Sequence, residues 1–229
     1  LKSKAENLME KVYEVYKLSG EKYSYIPKQY NLDIDPNEKN LSKDIEKIIE
    51  GIANKERSNL CIGDTVGEDL IKCFEVNGIK IIFHPFNNSK IFGLSAYHNK
   101  KGCFILINDD PNIPEERKIF SIVHEYAHLI FSRDEYKKSQ NELQYSNYKS
   151  DINEKIANTF ASYFLIPRDI LSNYDYLLRG KLILEDLIYI KKELNVSLQA
   201  LIYALNNYGY IDDLTRKRTF ELLYKAGLG

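Results

Sequence analysis

The chain has 229 residues, 44% hydrophobic and 28% charged, and its 32 Lys and Arg against 33 Asp and Glu leave a formal charge of -1. That balance suits a soluble globular protein of one large domain, or one domain with a small appendage, and supplies no basic excess to draw nucleic acid or an anionic membrane. No apolar run approaches the roughly 20 residues that span a bilayer and no N-terminal signal segment is visible; Cys61, Cys73 and Cys103 are too few and too scattered for a disulfide framework, so the cytoplasm is the expected compartment.

Residues 1–19 read as an amphipathic helix on Ala5, Leu8, Val12 and Val15. Gly20, Pro27 and Pro36 mark the following stretch, to Asn40, as a linker with short turns. A second helix is expected to start near Asp35-Pro36, with Ile45, Ile48, Ile49 and Ile52 as its apolar face. A third, around Gly67 to Val76, should stop at Asn77-Gly78. The period then changes. Ile79 to Phe83, Ile91 to Tyr97 and Cys103 to Asn108 are β-branched and aromatic runs, the last two joined by a hairpin loop over 98–102. A small antiparallel sheet with helices packed on one face is expected, an α+β architecture that Pro111 and Pro114 close before helices resume. Three segments follow: a helix and linker over 1–35, the main unit over 36–175, and a helical subdomain over 176–229.

The chemistry concentrates in IFSIVHEYAHLIF, Ile119 to Phe131. Most of it is apolar enough for a core helix, yet Ser121, His124, Glu125, His128 and Ser132 share one stripe at helical spacing. His124 and His128, four apart, can both point a nitrogen at one metal ion, while Glu125 stands about 100° round the helix, beside that ion rather than on it. Imidazoles and a carboxylate on a burial-prone helix need something to satisfy them, and a zinc ion with a bound water would. His84, at a strand end, and His98, in the hairpin loop, read as ordinary surface histidines.

A catalytic zinc site keeps three protein ligands and one open position. Asp151 to Pro167 offers the third: Glu154 lies on one helical stripe with Ala157, Asn158 and Ala161, and the two small residues let this helix approach a neighbour closely. Asp134 is a rival, six residues after His128, but that arrangement needs a Gly midway for a tight turn, and Phe131 stands there. Asp151, one turn before Glu154, is the residual alternative, at a position where Asp commonly caps a helix.

HEYAH at 124–128 together with ExxANxFAxxxLxP at 154–167 resembles the ImmA/IrrE family of metallopeptidases. Arg117, Phe120 and the strand ending at Asn108 are similar to that family's approach to its HExxH helix, and the likeness spans about 40 to 210. The resemblance implies a zincin-like core of the gluzincin kind over 36–175. It implies one zinc per chain, replaceable by Mn2+, on His124, His128 and Glu154, with Glu125 as general base. It further implies a bacterial endopeptidase whose substrate is a helix-turn-helix repressor and whose cleavage relieves repression. The alternative is a non-proteolytic DNA- or protein-binding regulator, of toxin or antirepressor type, on the same fold. In zincin-like enzymes an edge strand aligns the peptide; Ile91 to Tyr97, where Gly93, Ser95 and Ala96 leave room, is the candidate substrate-binding strand.

Leu184 to Leu194, a turn at 195–197 capped by Ser197, and Leu198 to Tyr208 read as a helix-turn-helix-like element. Its second helix offers Gln199, Asn206 and Asn207 but no Lys or Arg, and Arg216-Lys217-Arg218 reads as a solvated run. Direct DNA binding is not expected; docking of a protein substrate or packing on the core is.

Overall fold

Four strands form the sheet in a computed structural model that describes residues 2–20, 26–35, 38, 40–63, 68–86, 88, 91–133, 144–145, 151–180 and 183–225. β1 (Lys80–His84), β2 (Gly93–His98), β3 (Gly102–Asn108) and β4 (Gln144–Tyr145) lie in the order β1-β3-β2-β4. The hairpin is where the sequence places it: β2 and β3 pair antiparallel from Gly93↔Ile107 to His98↔Gly102, with Gly102 in the left-handed region at φ 76°. The sheet is mixed, however, rather than antiparallel. β3 returns between β1 and β2 and pairs parallel with β1, from Lys80↔Phe104 to His84↔Asn108. The chain leaves β1, crosses to β2 and only then turns back, so the intervening strand must run with β1. Every residue of β3 is buried, as a central strand covered on both faces requires.

Alternation along β3 sorts two cores. Cys103, Ile105 and Ile107 join the main cluster, whereas Phe104 and Leu106 join a smaller one with Ile82, Phe86 and Ala96. Helix α1 (Lys2–Ser19) covers that second face with Ala5 and Met9, so helices lie on both faces and not on one. Helix α2 (Lys43–Asn59) starts at Lys43, later than the expected start near Asp35-Pro36. The Ser42 hydroxyl accepts from the Ile45 amide at 3.3 Å, and Asp44 and Glu46 sit in the first turn where the helix dipole favours them. Helix α3 (Glu68–Val76) ends as expected, with Gly78 at φ 81°.

Helices α4 (Glu115–Phe131) and α5 (Asp151–Leu165) pack against each other beneath the sheet. Ala157 and Ala161 are buried with Phe160 and Phe164, which carry the α5 side of the main cluster. Short helices α6 (Arg168–Ser172) and α7 (Asp175–Leu178) lead to α8 (Leu184–Leu194), α9 (Leu198–Asn207) and α10 (Asp213–Lys225). The turn between α8 and α9 carries Asn195 at φ 51°, and the Ser197 hydroxyl accepts from the Ala200 amide at 3.1 Å. Leu187, Ile190, Leu201 and Leu205 enter the cluster that α4 and α5 share, so this helical element is fastened to the core by apolar burial. No described helix is long and apolar enough to cross a membrane.

Candidate metal centre

One face of α4 meets α5 at a polar point in an otherwise apolar contact. The Nε2 atoms of His124 and His128 stand 3.2 Å apart. His124 Nε2 lies 3.4 Å from Oε2 of Glu154, and His128 Nε2 lies 3.5 Å from Oε1. A tetrahedral ion with bonds of about 2.0 to 2.1 Å has its ligand atoms about 3.3 Å apart, so the spacing suits a first-row metal with two imidazoles and a carboxylate. His128 is buried; His124 and Glu154 are half-buried, which leaves one side of the cluster accessible.

The outer nitrogens decide what the inner ones can do. His124 Nδ1 faces Oδ1 of Asn158, one turn beyond Glu154 on α5, at 3.1 Å. His128 Nδ1 faces the Ser132 hydroxyl at 3.4 Å, and that hydroxyl donates its own proton to the His128 carbonyl at 3.2 Å. Both partners therefore accept from Nδ1–H. This fixes the tautomer and turns the Nε2 lone pairs inward, the arrangement metal-bound imidazoles adopt. Only when they carry a second proton, on Nε2, do His124 and then His128 hold the Glu154 carboxyl well below the usual carboxylate range, against the opposing effect of burial; as neutral Nδ1–H imidazoles they meet it lone pair to oxygen. Three acceptors thus converge where a cation fits.

Glu125, adjacent in sequence, turns toward the sheet. Its Oε2 accepts from the Ser95 hydroxyl at 2.7 Å, and a Cβ at Gly93 would stand 2.8 Å from its Cγ. Both residues lie on the same face of β2, the one that packs on α4. The room expected at Gly93 and Ser95 is real, but Glu125 fills it: these side-chain positions seat the carboxylate. Ala96 points to the opposite face, into the smaller core, and its backbone pairs with Tyr145 of β4. The Ala96 side chain and the Ser95 hydroxyl are thus engaged within the fold, and among the described residues β4 pairs with β2 at Ala96 and Tyr97.

Asp151 begins α5 one turn before Glu154, and Asp134 lies outside the described residues. His98 stays in the hairpin, its Nδ1 accepting from the Lys100 amide at 3.0 Å. His84 is half-buried at the end of β1, away from the α4–α5 cluster. Asn158 and Ser132 both lie on the stripes read from the sequence, yet spacing alone gave them no task; each stands four residues from a site residue, at i+4 from Glu154 and from His128, which is where a helix places a supporting side chain. Arg117, two turns before His124 on α4, stacks its guanidinium 4.3 Å from the Phe92 ring centre.

A family model, the IrrE N-terminal-like domain of Peptidase M78, matches residues 74–206. That interval runs from the end of α3 to α9 and holds the three residues of the cluster and the neighbouring Glu125. No curated protein matches the chain. The α+β fold, the two motifs on α4 and α5, and a match over more than half the length agree: the chain belongs to the IrrE N-terminal-like family of M78 peptidases.

Proposed function

We propose that the protein is a zinc-dependent endopeptidase whose substrate is a helix-turn-helix repressor, and that cleavage relieves repression. The observation that carries the reading is the pairing of two unlike sites on one turn of α4: three converging acceptors, and beside them a carboxylate held by Ser95 and unable to join them. His124, His128 and Glu154 would hold the metal, with Asn158 and Ser132 orienting the imidazoles. A bound zinc would supply a water of lowered pKa and a polarised scissile carbonyl. Glu125 takes the proton from the attacking water and delivers it to the departing amine nitrogen, which needs a carboxylate that is ionised first and protonated later. The Ser95 hydroxyl keeps that carboxylate in one rotamer. The backbone edge of β2 near Gly93 aligns the peptide by strand addition.

A regulator that binds without cutting has no need for a carboxylate wedged against Gly93 and steadied by Ser95, so the enzyme is preferred. The repressor as substrate is supported by the family likeness of the two motifs. The test incubates zinc-loaded protein with helix-turn-helix repressors from the same genome and separates fragments by mass. Glu125→Gln should keep metal and fold while slowing cleavage by about a hundred- to ten-thousandfold, the range for a general base. Equal rates would refute the assignment of Glu125.

A further inference from the structure

A pocket of about 560 Å³ opens beside the cluster, between α4, α5, α9 and α10. Asn158, which holds His124, forms part of its wall, so a single side chain separates it from the metal ligands. Its lining is cationic and amide-rich. Arg117 comes from α4, Lys155 from α5 and Arg216 from α10, and among the described residues no Asp or Glu lines it. Arg216 is partly engaged with Asp213 at 3.3 Å, and Lys155 reaches Asn40 at 3.0 Å. No carboxylate among the described residues pairs with Arg117, whose guanidinium lies 4.3 Å from the Phe92 ring centre and 5.6 Å from that of Phe120. Gln199 and Asn206 of α9 face this pocket, which gives them a task unrelated to a DNA groove.

A second observation points the same way. Ser162 lines the pocket and is 3% exposed, yet its hydroxyl has no hydrogen-bond partner among the described residues. A buried hydroxyl without a partner is costly, and a ligand acceptor would remove that cost. A preorganised guanidinium, two further cations and an orphaned donor together describe a receptor for a carboxylate.

Resting on the peptidase reading above, we infer that this pocket selects the substrate: it receives an Asp or Glu side chain of the peptide, with Arg117 as the principal specificity determinant. Arg117 precedes His124 by seven residues, about 10 Å along the helix axis. An extended peptide advances about 3.3 Å per residue, which places the acidic residue within about three positions of the cleaved bond. The C-terminal helices thereby become part of the substrate-reading surface.

The test uses zinc-loaded Glu125→Gln protein and short labelled peptides with one Glu at successive positions in a neutral background, each matched by a Gln peptide. One register of Glu should bind about tenfold or more tightly than its Gln counterpart, a charge-assisted contact against a neutral one. Arg117→Gln should reduce that preference to less than about twofold, and Arg117→Lys should restore part of it, since a lysine keeps charge without the planar fork. Should Arg117→Gln fail to fold, Arg216→Gln and Lys155→Gln should each weaken the preference. Equal binding of Glu and Gln peptides at every position, or no binding of any, would overturn the proposal. So would displacement of the Glu peptide by free glutamate, phosphate or a DNA duplex at the same concentration, because the pocket would then serve a small anion or a nucleic acid. Cleavage by unmutated protein, measured in parallel, separates the two readings: a Glu preference without cleavage contradicts the peptidase alone, and cleavage of Glu and Gln peptides alike contradicts the pocket alone.

Discussion

Two polar clusters touch α4, and they differ in kind. Toward α2, Glu56 is 2% exposed and its carboxylate accepts from Tyr30 and Asn59, each at 2.7 Å, and from Tyr126. Donors and acceptors balance there, so the cluster is complete as it stands. Toward α5, two inward-facing lone pairs meet a carboxylate, and nothing in the set can donate to it without a proton or a metal ion. Both clusters bury polar atoms in an apolar contact; only one is closed. The difference between a structural and a chemical use of a buried carboxylate lies in that balance, since an unsatisfied polar group is costly unless a ligand satisfies it.

The contrast can be broken from either side. Glu56→Ala removes the acceptor shared by the buried Tyr126 phenol, the half-buried Tyr30 phenol and the Asn59 amide and should cost about 3 to 5 kcal/mol of stability, with bound metal unchanged per folded molecule. Urea unfolding checks the first part and metal analysis of the folded fraction the second. A large loss of metal affinity from this variant would mean the two clusters are one.

Lys80 supplies a smaller effect with a defined sign. It is fully buried, donates to the Lys101 carbonyl at 2.8 Å, and burial pushes its ammonium down from 10.5 to about 8. Between those values the unfolded chain binds more protons than the folded one. Stability attributable to this residue should therefore rise as pH increases from about 8 to 10.5, by roughly 3 kcal/mol. Lys80→Met removes the rise; melting temperatures of the two proteins across that range are the measurement, and parallel curves would contradict the assignment.

The outer support of the open cluster gives the smallest change. Asn158→Ala deletes the acceptor that fixes the His124 tautomer without touching a ligand. Zinc affinity should fall about 10- to 100-fold, as removal of such partners does elsewhere, with stability of the metal-free protein nearly unchanged. Competition with a chromogenic chelator reads it.

The open cluster was the more legible of the two from sequence. H-E-x-x-H at helical spacing on an apolar helix states its own conflict, and Ala157 and Ala161 announce a close helix contact that brings Glu154 in. The closed one was present but mute: Glu56 continues the Ile45, Ile49, Ile52 stripe of α2, yet a single glutamate on an amphipathic helix carries no sign of the tyrosines that meet it from elsewhere in the chain. Gly93 and Ser95 show the middle case. Their small size reported a close approach, but not which group approached, because the register of β2 against α4 is a tertiary fact. Strand direction escaped for the same reason: hydrophobic alternation is identical in parallel and antiparallel neighbours, and only the path of the chain from β1 across to β2 makes the sheet mixed. The late start of α2 turned on Ser42 outcompeting Asp35 as a cap, a local difference that pattern alone does not rank.

The claim on which the rest depends is that the open cluster holds a metal through Glu154. Purified protein dialysed against zinc and then against metal-free buffer should retain about one zinc per chain, by elemental analysis, as a three-ligand site implies. Glu154→Gln should retain little under the same treatment, while Asp134→Asn and Asp151→Asn keep theirs. A Glu154→Gln protein that remains zinc-replete, or an unmutated protein that retains none, would contradict the account.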